Sequence, residues 1–226
     1  MEEGNGVPVK FSRWSSTREE DRFVVDNPAT GKPLAVVQGG GEAEVDSAVR
    51  AAHRAWEDHW RWLPARERSK LLMEAARVVG ERRAELAELE CRENGKPLLQ
   101  AFIDVEVCIS LFEYFASISA NLPGIFLDLG PVHCTGWLEP YGVAGGILPF
   151  NWPPIHVAGK AAPALAVGNT VVLKPGDQAP LTVLRIVELL EEIFPGDVLH
   201  AVPGPGATAG AALASHPLVH KLSFTG

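Results

Sequence analysis

Asn151, Lys174 and Asp177, in and just after the largely apolar run 141–175, are residues of types that do chemistry. Asn151 follows Pro149-Phe150 on a loop, where its side-chain N–H can donate to an oxygen that gains negative charge when a nucleophile adds to a carbonyl. The same residue can instead cap the helix that begins at Pro153-Pro154, a role asparagine often fills. Lys174 is a cation able to hydrogen-bond a polar ligand, or an ordinary solvated lysine. Asp177, three residues on, adds a carboxylate that can accept from hydroxyls.

The elements that must position these residues read as strand, loop, helix, strand. Residues 143–148 are apolar on both faces, as a strand buried between helices must be. Pro149 ends the strand, since it has no N–H to offer a neighbour. Pro153 and Pro154 fit the first turn of a helix that runs to about Ala166. Gly168-Asn169 turns the chain, and 170–173 forms a second apolar strand that delivers Lys174. Asn151 and Lys174 thus stand at the carboxyl ends of parallel strands, where open α/β sheets bind ligands. Further on, a helix is expected over 180–193, a third parallel strand over 198–202, a glycine turn at 204–206, a short helix over 207–214 and a fourth strand over 219–224.

Before this unit, residues 1–20 are polar and read as a loose lead-in. Two short strands, 21–25 and 34–38, join across Asn27-Pro28-Ala29-Thr30-Gly31. Gly39-Gly40-Gly41 punctuates, and a helix from near Glu42 carries Val45, Ala48 or Val49, Ala52 and Trp56 at helical spacing and ends before Pro64. One long helix is expected from Pro64 to the left-handed stop Asn94-Gly95, with Leu71, Leu72, Ala75, Val78, Val79, Leu86 and Leu89 on one side. Pro97 opens a third helix, with Phe102, Val105, Ile109, Phe112 and Phe115 inward, closed by Pro123-Gly124. A strand follows over 131–140.

Four motifs in order carry a family likeness: Pro149-Phe150-Asn151-Trp152-Pro153; Lys160-Ala161-Ala162-Pro163-Ala164-Leu165 running through Gly168-Asn169-Thr170 to Lys174-Pro175; Val202-Pro203-Gly204-Pro205-Gly206; and Phe224-Thr225-Gly226. Together they resemble the NAD(P)-dependent aldehyde dehydrogenases. The resemblance implies an α/β fold, an incomplete Rossmann-like parallel sheet of the aldehyde dehydrogenase type preceded by an N-terminal helical segment. Its parts are N-terminal strands and helices of the cofactor domain (1–130), a strand of an oligomerisation arm (131–140) and a truncated dinucleotide-binding part (141–226). It implies Asn151 as oxyanion donor. It also implies a cofactor surface of Ile147, Leu148, Pro149, Phe150, Asn151, Lys174, Asp177, Gly206, Gly210, Phe224, Thr225 and Gly226. Aspartate stands at 177 where glutamate is common, and Phe150 where an indole is frequent. NAD is the expected cofactor, NADP the alternative, because a carboxylate near the ribose repels a 2′-phosphate.

In that family a cysteine attacks the aldehyde, giving a thiohemiacetal that yields hydride to NAD and leaves a thioester, and a glutamate activates the water that hydrolyses it. Both lie downstream of the Phe-Thr-Gly segment. The expectation is therefore a fragment, inactive alone, of an oxidoreductase that converts an aldehyde to an acid. The alternative is a short form that holds a dinucleotide or docks onto a full-length relative without catalysis. Homo-oligomers, or association with a missing domain, are the expected partnerships. Cys91, Cys108 and Cys134 read as structural thiols.

Composition excludes other classes. Of 226 residues, 46% are hydrophobic and 21% charged, enough apolar content for a sizeable core. A net charge of −8 without a basic stripe argues against nucleic acid. No stretch reads as a membrane span or secretory signal. Three irregularly spaced cysteines and seven histidines without ligand spacing suggest neither a disulfide framework nor a zinc site, and a reducing cytoplasmic setting is the default.

Overall fold

In the computed structural model, which describes residues 12–16 and 18–226, the first regular element is an antiparallel pair, β1 (Arg22–Asn27) and β2 (Lys32–Gln38). Their turn is built by Asn27, whose side chain accepts from the Ala29 N–H at 2.9 Å, and by Gly31 at φ 64°. Most of the expected lead-in lies outside the described residues; 19–21 form a single 3-10 turn. Helix α1 (Glu42–Asp58) opens where Glu44 accepts from the Gly41 N–H at 2.8 Å.

The long helix expected after Pro64 is two helices, α2 (Ala65–Glu81) and α3 (Arg83–Asn94), broken at Arg82. Val79 and Leu86 are a heptad apart, so their spacing continues one apolar stripe across the break and hides it. The bend lets α3 pack on the helix Leu181–Glu191 as well as on the one that follows it in the chain. Helix α4 (Leu98–Ile118) buries Ala101, Val105, Cys108, Phe112 and Ala116 and stops short of Pro123. The strand expected over 131–140 is shorter, β4 (His133–Gly136), and pairs antiparallel with β3 (Ile125–Asp128), a strand that the sequence reading did not find.

The remaining elements follow the expected order: β5 (Val143–Ile147), α5 (Pro153–Ala166), β6 (Thr170–Lys174), α6 (Leu181–Glu191), β7 (Leu199–Ala201), a π turn (Gly206–Gly210) leading into α7 (Ala211–Ser215), and β8 (Val219–Phe224). They form one parallel sheet in the order β7-β6-β5-β8. Strand β6 shows why both faces had to be apolar. Val171 and Leu173 point into the core shared with α2 to α6, and Val172 into a second core with Val45, Val49 and Ala52 of α1 and Leu213 of α7. Two glycines in β5 admit the side chains of its flanking strands. A Cβ at Gly146 would lie 2.7 Å from Leu173 Cδ2, and one at Gly145 2.9 Å from Leu222 Cδ1.

The Gly39-Gly40-Gly41 segment crosses the glycine turn after β7. Gly40 donates to the Pro203 carbonyl at 2.6 Å, and a Cβ at Gly204, where φ is 151°, would lie 2.2 Å from Gly40 O. Trp60, fully buried, ties α1's end to the sheet by donating its indole N–H to Asn169 O at 2.9 Å. Truncating a buried aromatic of this kind costs roughly 3–5 kcal/mol.

Candidate functional site

The chain leaves β5 by α5 to reach β6 and β7 on one side, and then returns through α7 to place β8 on the other. Strand β5 is therefore the topological switch point, and open α/β sheets bind ligands outside the carboxyl ends of the strands at such a point. The loop that leaves β5 carries Pro149, Phe150, Asn151 and Trp152. Pairing persists one residue beyond the strand, since Leu148 N–H donates to Lys174 O at 2.9 Å.

Asn151 is exposed and does not cap α5. Trp152 occupies the cap position, and among the described residues no side chain caps the helix there. Among the described residues no neighbour takes a hydrogen bond from the Asn151 amide, which leaves it free for a ligand. Lys174, opposite Ile147 in the register, is 4% exposed, and its Nζ sits 2.5 Å from Asp177 Oδ1. The Asp177 carboxylate remains 40% exposed, so it offers acceptors outward while the lysine anchors it.

The loop after β6 touches the loop after β5 backbone to backbone. A Cβ at Gly176 would lie 3.0 Å from Phe150 N and 3.1 Å from Pro149 C. The Gly206–Gly210 turn stands over Lys174: a Cβ at Gly210 would meet Lys174 Cδ at 4.0 Å, and one at Gly206 would meet nothing within 4 Å. From β8, Thr225 N–H donates to Ile147 O at 3.2 Å, and Phe224 is exposed. Thus Ile147 to Asn151, Lys174, Asp177, Gly206, Gly210 and Phe224 to Gly226 all border one sheet edge.

Several polar residues at this edge escaped the sequence reading. Lys160, on α5, donates to Ser223 Oγ at 3.0 Å and Thr225 Oγ1 at 2.8 Å, and burial lowers its pKa. Lys96 donates to Asn151 O at 2.8 Å and is held by Glu90 and Asp104. Fully buried Glu90 is pushed up to about 8 by burial, against the pull of Lys96. Glu93 is pushed up to about 7, again by burial, against the N–H donors at the start of α6. A lysine inside the mostly apolar α5 was the one local signal; the others come from far back in the chain and left none.

Among the described residues no group of three or more His, Cys, Asp or Glu could hold a metal ion. Cys91 is half-buried on α3, Cys108 lies buried on α4 with its thiol pKa raised by burial, and Cys134 is exposed on β4. No helix among the described residues is long and apolar enough to cross a membrane.

The profile of the Aldehyde dehydrogenase family matches residues 14–226. The chain belongs to this family. Aldehyde dehydrogenase citD of Monascus ruber is 52% identical over 214 residues, which cover 95% of this chain and 42% of that protein. Retinaldehyde dehydrogenase 3 of Mus musculus is 42% identical over 231 residues, covering 97% of this chain and 45% of its own. Among solved structures, the NAD+ complex of an aldehyde dehydrogenase from Bacillus cereus superposes with a TM-score of 0.88 at 38% identity, covering 91% of this chain and 43% of that one. Betaine aldehyde dehydrogenase from Staphylococcus aureus, in complex with NAD+, gives 0.87 at 32% identity, covering 91% and 42%. The chain therefore spans less than half the length of these family members.

Proposed function

We propose that this chain carries the dinucleotide-binding part of an NAD-dependent enzyme that oxidises an aldehyde to a carboxylic acid, with Asn151 as oxyanion donor. One observation supports this above the rest: the switch point at β5 gathers the free Asn151 amide, the Lys174–Asp177 pair and the open Gly206 turn at one edge. Relatives bearing the same segment are named aldehyde dehydrogenases, and two neighbours in structure are NAD+ complexes. The residues present suit a dinucleotide. The Asp177 carboxylate accepts from ribose hydroxyls, Lys174 donates to them, and the backbone at Gly206 leaves open space beside them. When bound, NAD supplies the acceptor for hydride. The Asn151 amide donates to the substrate oxygen as charge builds there, a role whose removal typically costs 10²–10³-fold in kcat.

The experiment is a titration of NAD and NADP into the purified chain, followed by tryptophan fluorescence. NAD is expected to bind about tenfold more tightly, a difference of about 1.4 kcal/mol, because Asp177 repels the 2′-phosphate more than the already paired Lys174 attracts it. Asp177→Ser will bring the two affinities together. Equal binding by the unaltered chain, or tighter NADP, would overturn the assignment.

The β3–β4 hairpin exposes Ile125, Phe126, Leu127, Val132, Trp137 and Leu138. Contiguous apolar surface of this kind marks an association face, and we propose that a second copy covers it. Sedimentation should show oligomers that the pair Phe126→Glu and Trp137→Glu disperses; a monomer at micromolar concentration would refute this.

A further inference from the structure

The turn between α3 and α4 reaches both strand-end loops at once. Asn94 Nδ2 donates to Phe150 O at 2.6 Å, and Lys96 Nζ donates to Asn151 O at 2.8 Å. Both acceptors lie in a non-helical stretch before α5, where no strand ladder supplies donors. One residue before Asn94, Glu93 accepts from Leu181 N–H at 2.6 Å and Thr182 N–H at 2.8 Å, fastening the start of α6 just after the loop that bears Lys174 and Asp177. The turn itself is rigid. Gly95 adopts φ 82°, and a Cβ there would lie 2.7 Å from Pro28 Cγ, so the β1–β2 turn buttresses it. Lys96 is kept in place by Glu90 at 2.5 Å and by Asp104, both nearly or fully buried. A buried ion cluster of this kind is a costly way to gain stability compared with apolar packing. Here its cation ends on the carbonyl of the proposed oxyanion donor.

We propose that residues 93–96 set the placement of the two loops, Asn94 and Lys96 fixing the backbone from which the Asn151 amide projects, and Glu93 fixing the loop that presents Lys174 and Asp177. These are positioning residues, and the inference rests on the functional reading above. A misplacement of about 1 Å in such a group can cost 10²-fold in rate, while a distortion of the second loop falls on cofactor affinity.

The two halves of the turn therefore predict opposite signatures. The test uses a polypeptide of full family length carrying this segment, with kcat measured by NADH formation and the NAD Kd by fluorescence titration. Lys96→Met and Asn94→Ala should each lower kcat by roughly 10–100-fold with the NAD Kd within about twofold of the parent. Glu93→Gln should weaken NAD by roughly tenfold, with kcat at saturating NAD within about twofold. In an Asn151→Ala background, Asn94→Ala should lower kcat by less than about twofold further, because the group it positions is gone. Asn94→Ala removes one bond and leaves the ion cluster intact, so it keeps the test sharp should Lys96→Met fail to fold. Full additivity with Asn151→Ala, or a fall in kcat accompanied by a rise in the NAD Kd in all three variants, would overturn the positioning role alone. A parent that binds no NAD, or an Asn151→Ala change without effect on kcat, would overturn the functional reading together with it.

Discussion

Assayed with simple aldehydes and NAD, the 226-residue chain will produce no NADH above the buffer rate, even where the proposed dinucleotide binding is detected. Oxidation by the covalent route needs a thiolate that can add to the aldehyde beside the Asn151 amide. Of the cysteines, Cys108 is buried with its thiol held neutral, Cys91 lies within α3 and Cys134 stands on the exposed hairpin. None sits on the loops that form the sheet edge. Losing a catalytic nucleophile costs on the order of 10⁶-fold in serine hydrolases, and the hydride here has no tetrahedral adduct to leave from. An oriented amide at Asn151 alone supplies only the smaller oxyanion contribution. Steady NADH production abolished by Cys91→Ser, Cys108→Ser or Cys134→Ser would show that the chain holds a nucleophile of its own.

Urea unfolding of the chain will show stability falling as pH rises from about 5 to 8. Burial raises Glu90 to about 8 and Glu93 to about 7, both above the ordinary 4.5. The single ammonium of Lys96 faces two carboxyls, Glu90 and Asp104, and the deeper one keeps its proton. The folded chain thus retains protons that the unfolded chain releases above 4.5, so stability is greatest at the low end of the window and is lost up to the folded pKa. Each carboxyl contributes about 1.4 kcal/mol per pH unit while the two states differ by a full proton. His156 works in the opposite direction below its usual range, because burial, with Lys160 and Lys96 adding to it, disfavours its charged form. Comparison with Glu90→Gln therefore isolates the effect. This neutral copy of the protonated acid should flatten the slope and be more stable than the parent at pH 8. A slope left unchanged by Glu90→Gln would mean that Glu90 is ionised throughout.

Much of the sheet and its loops was legible because its signals are local. Apolar runs bounded by Pro149, by Gly168-Asn169 and by the glycine turn at 204–206 mark strands and crossings whatever lies elsewhere in the chain. The order of those strands was not legible. Nothing in 219–224 says that it pairs with β5 and not with β7, yet that choice makes β5 the switch point. The split at Arg82 hid behind a heptad spacing, and β3 behind the absence of alternation in Ile125-Phe126-Leu127. That Asn151 does not cap α5 needed coordinates too, because a cap and a loop donor favour the same residue in the same place. Asn94 was legible only as part of a helix stop, and nothing local singled out Glu90, Glu93 or Lys96. The contacts of Glu93 reach as far as Leu181 and Thr182, and no short window of sequence contains both.

The contact at Gly176 bears on how this edge can be redesigned. A Cβ there would lie 3.0 Å from Phe150 N and 3.1 Å from Pro149 C, so one backbone or the other would have to give by a few tenths of an ångström. The segment proposed to meet the cofactor ribose and the segment proposed to meet the substrate oxygen are thus neighbours best exchanged together. A graft of 174–180 from another family member, made to change cofactor preference, carries its own backbone path at 176 and pushes on 149–150. Transplants that move 148–152 and 174–180 together, from one donor, keep the fit between them, and recombination between relatives should respect that pairing over sequence proximity.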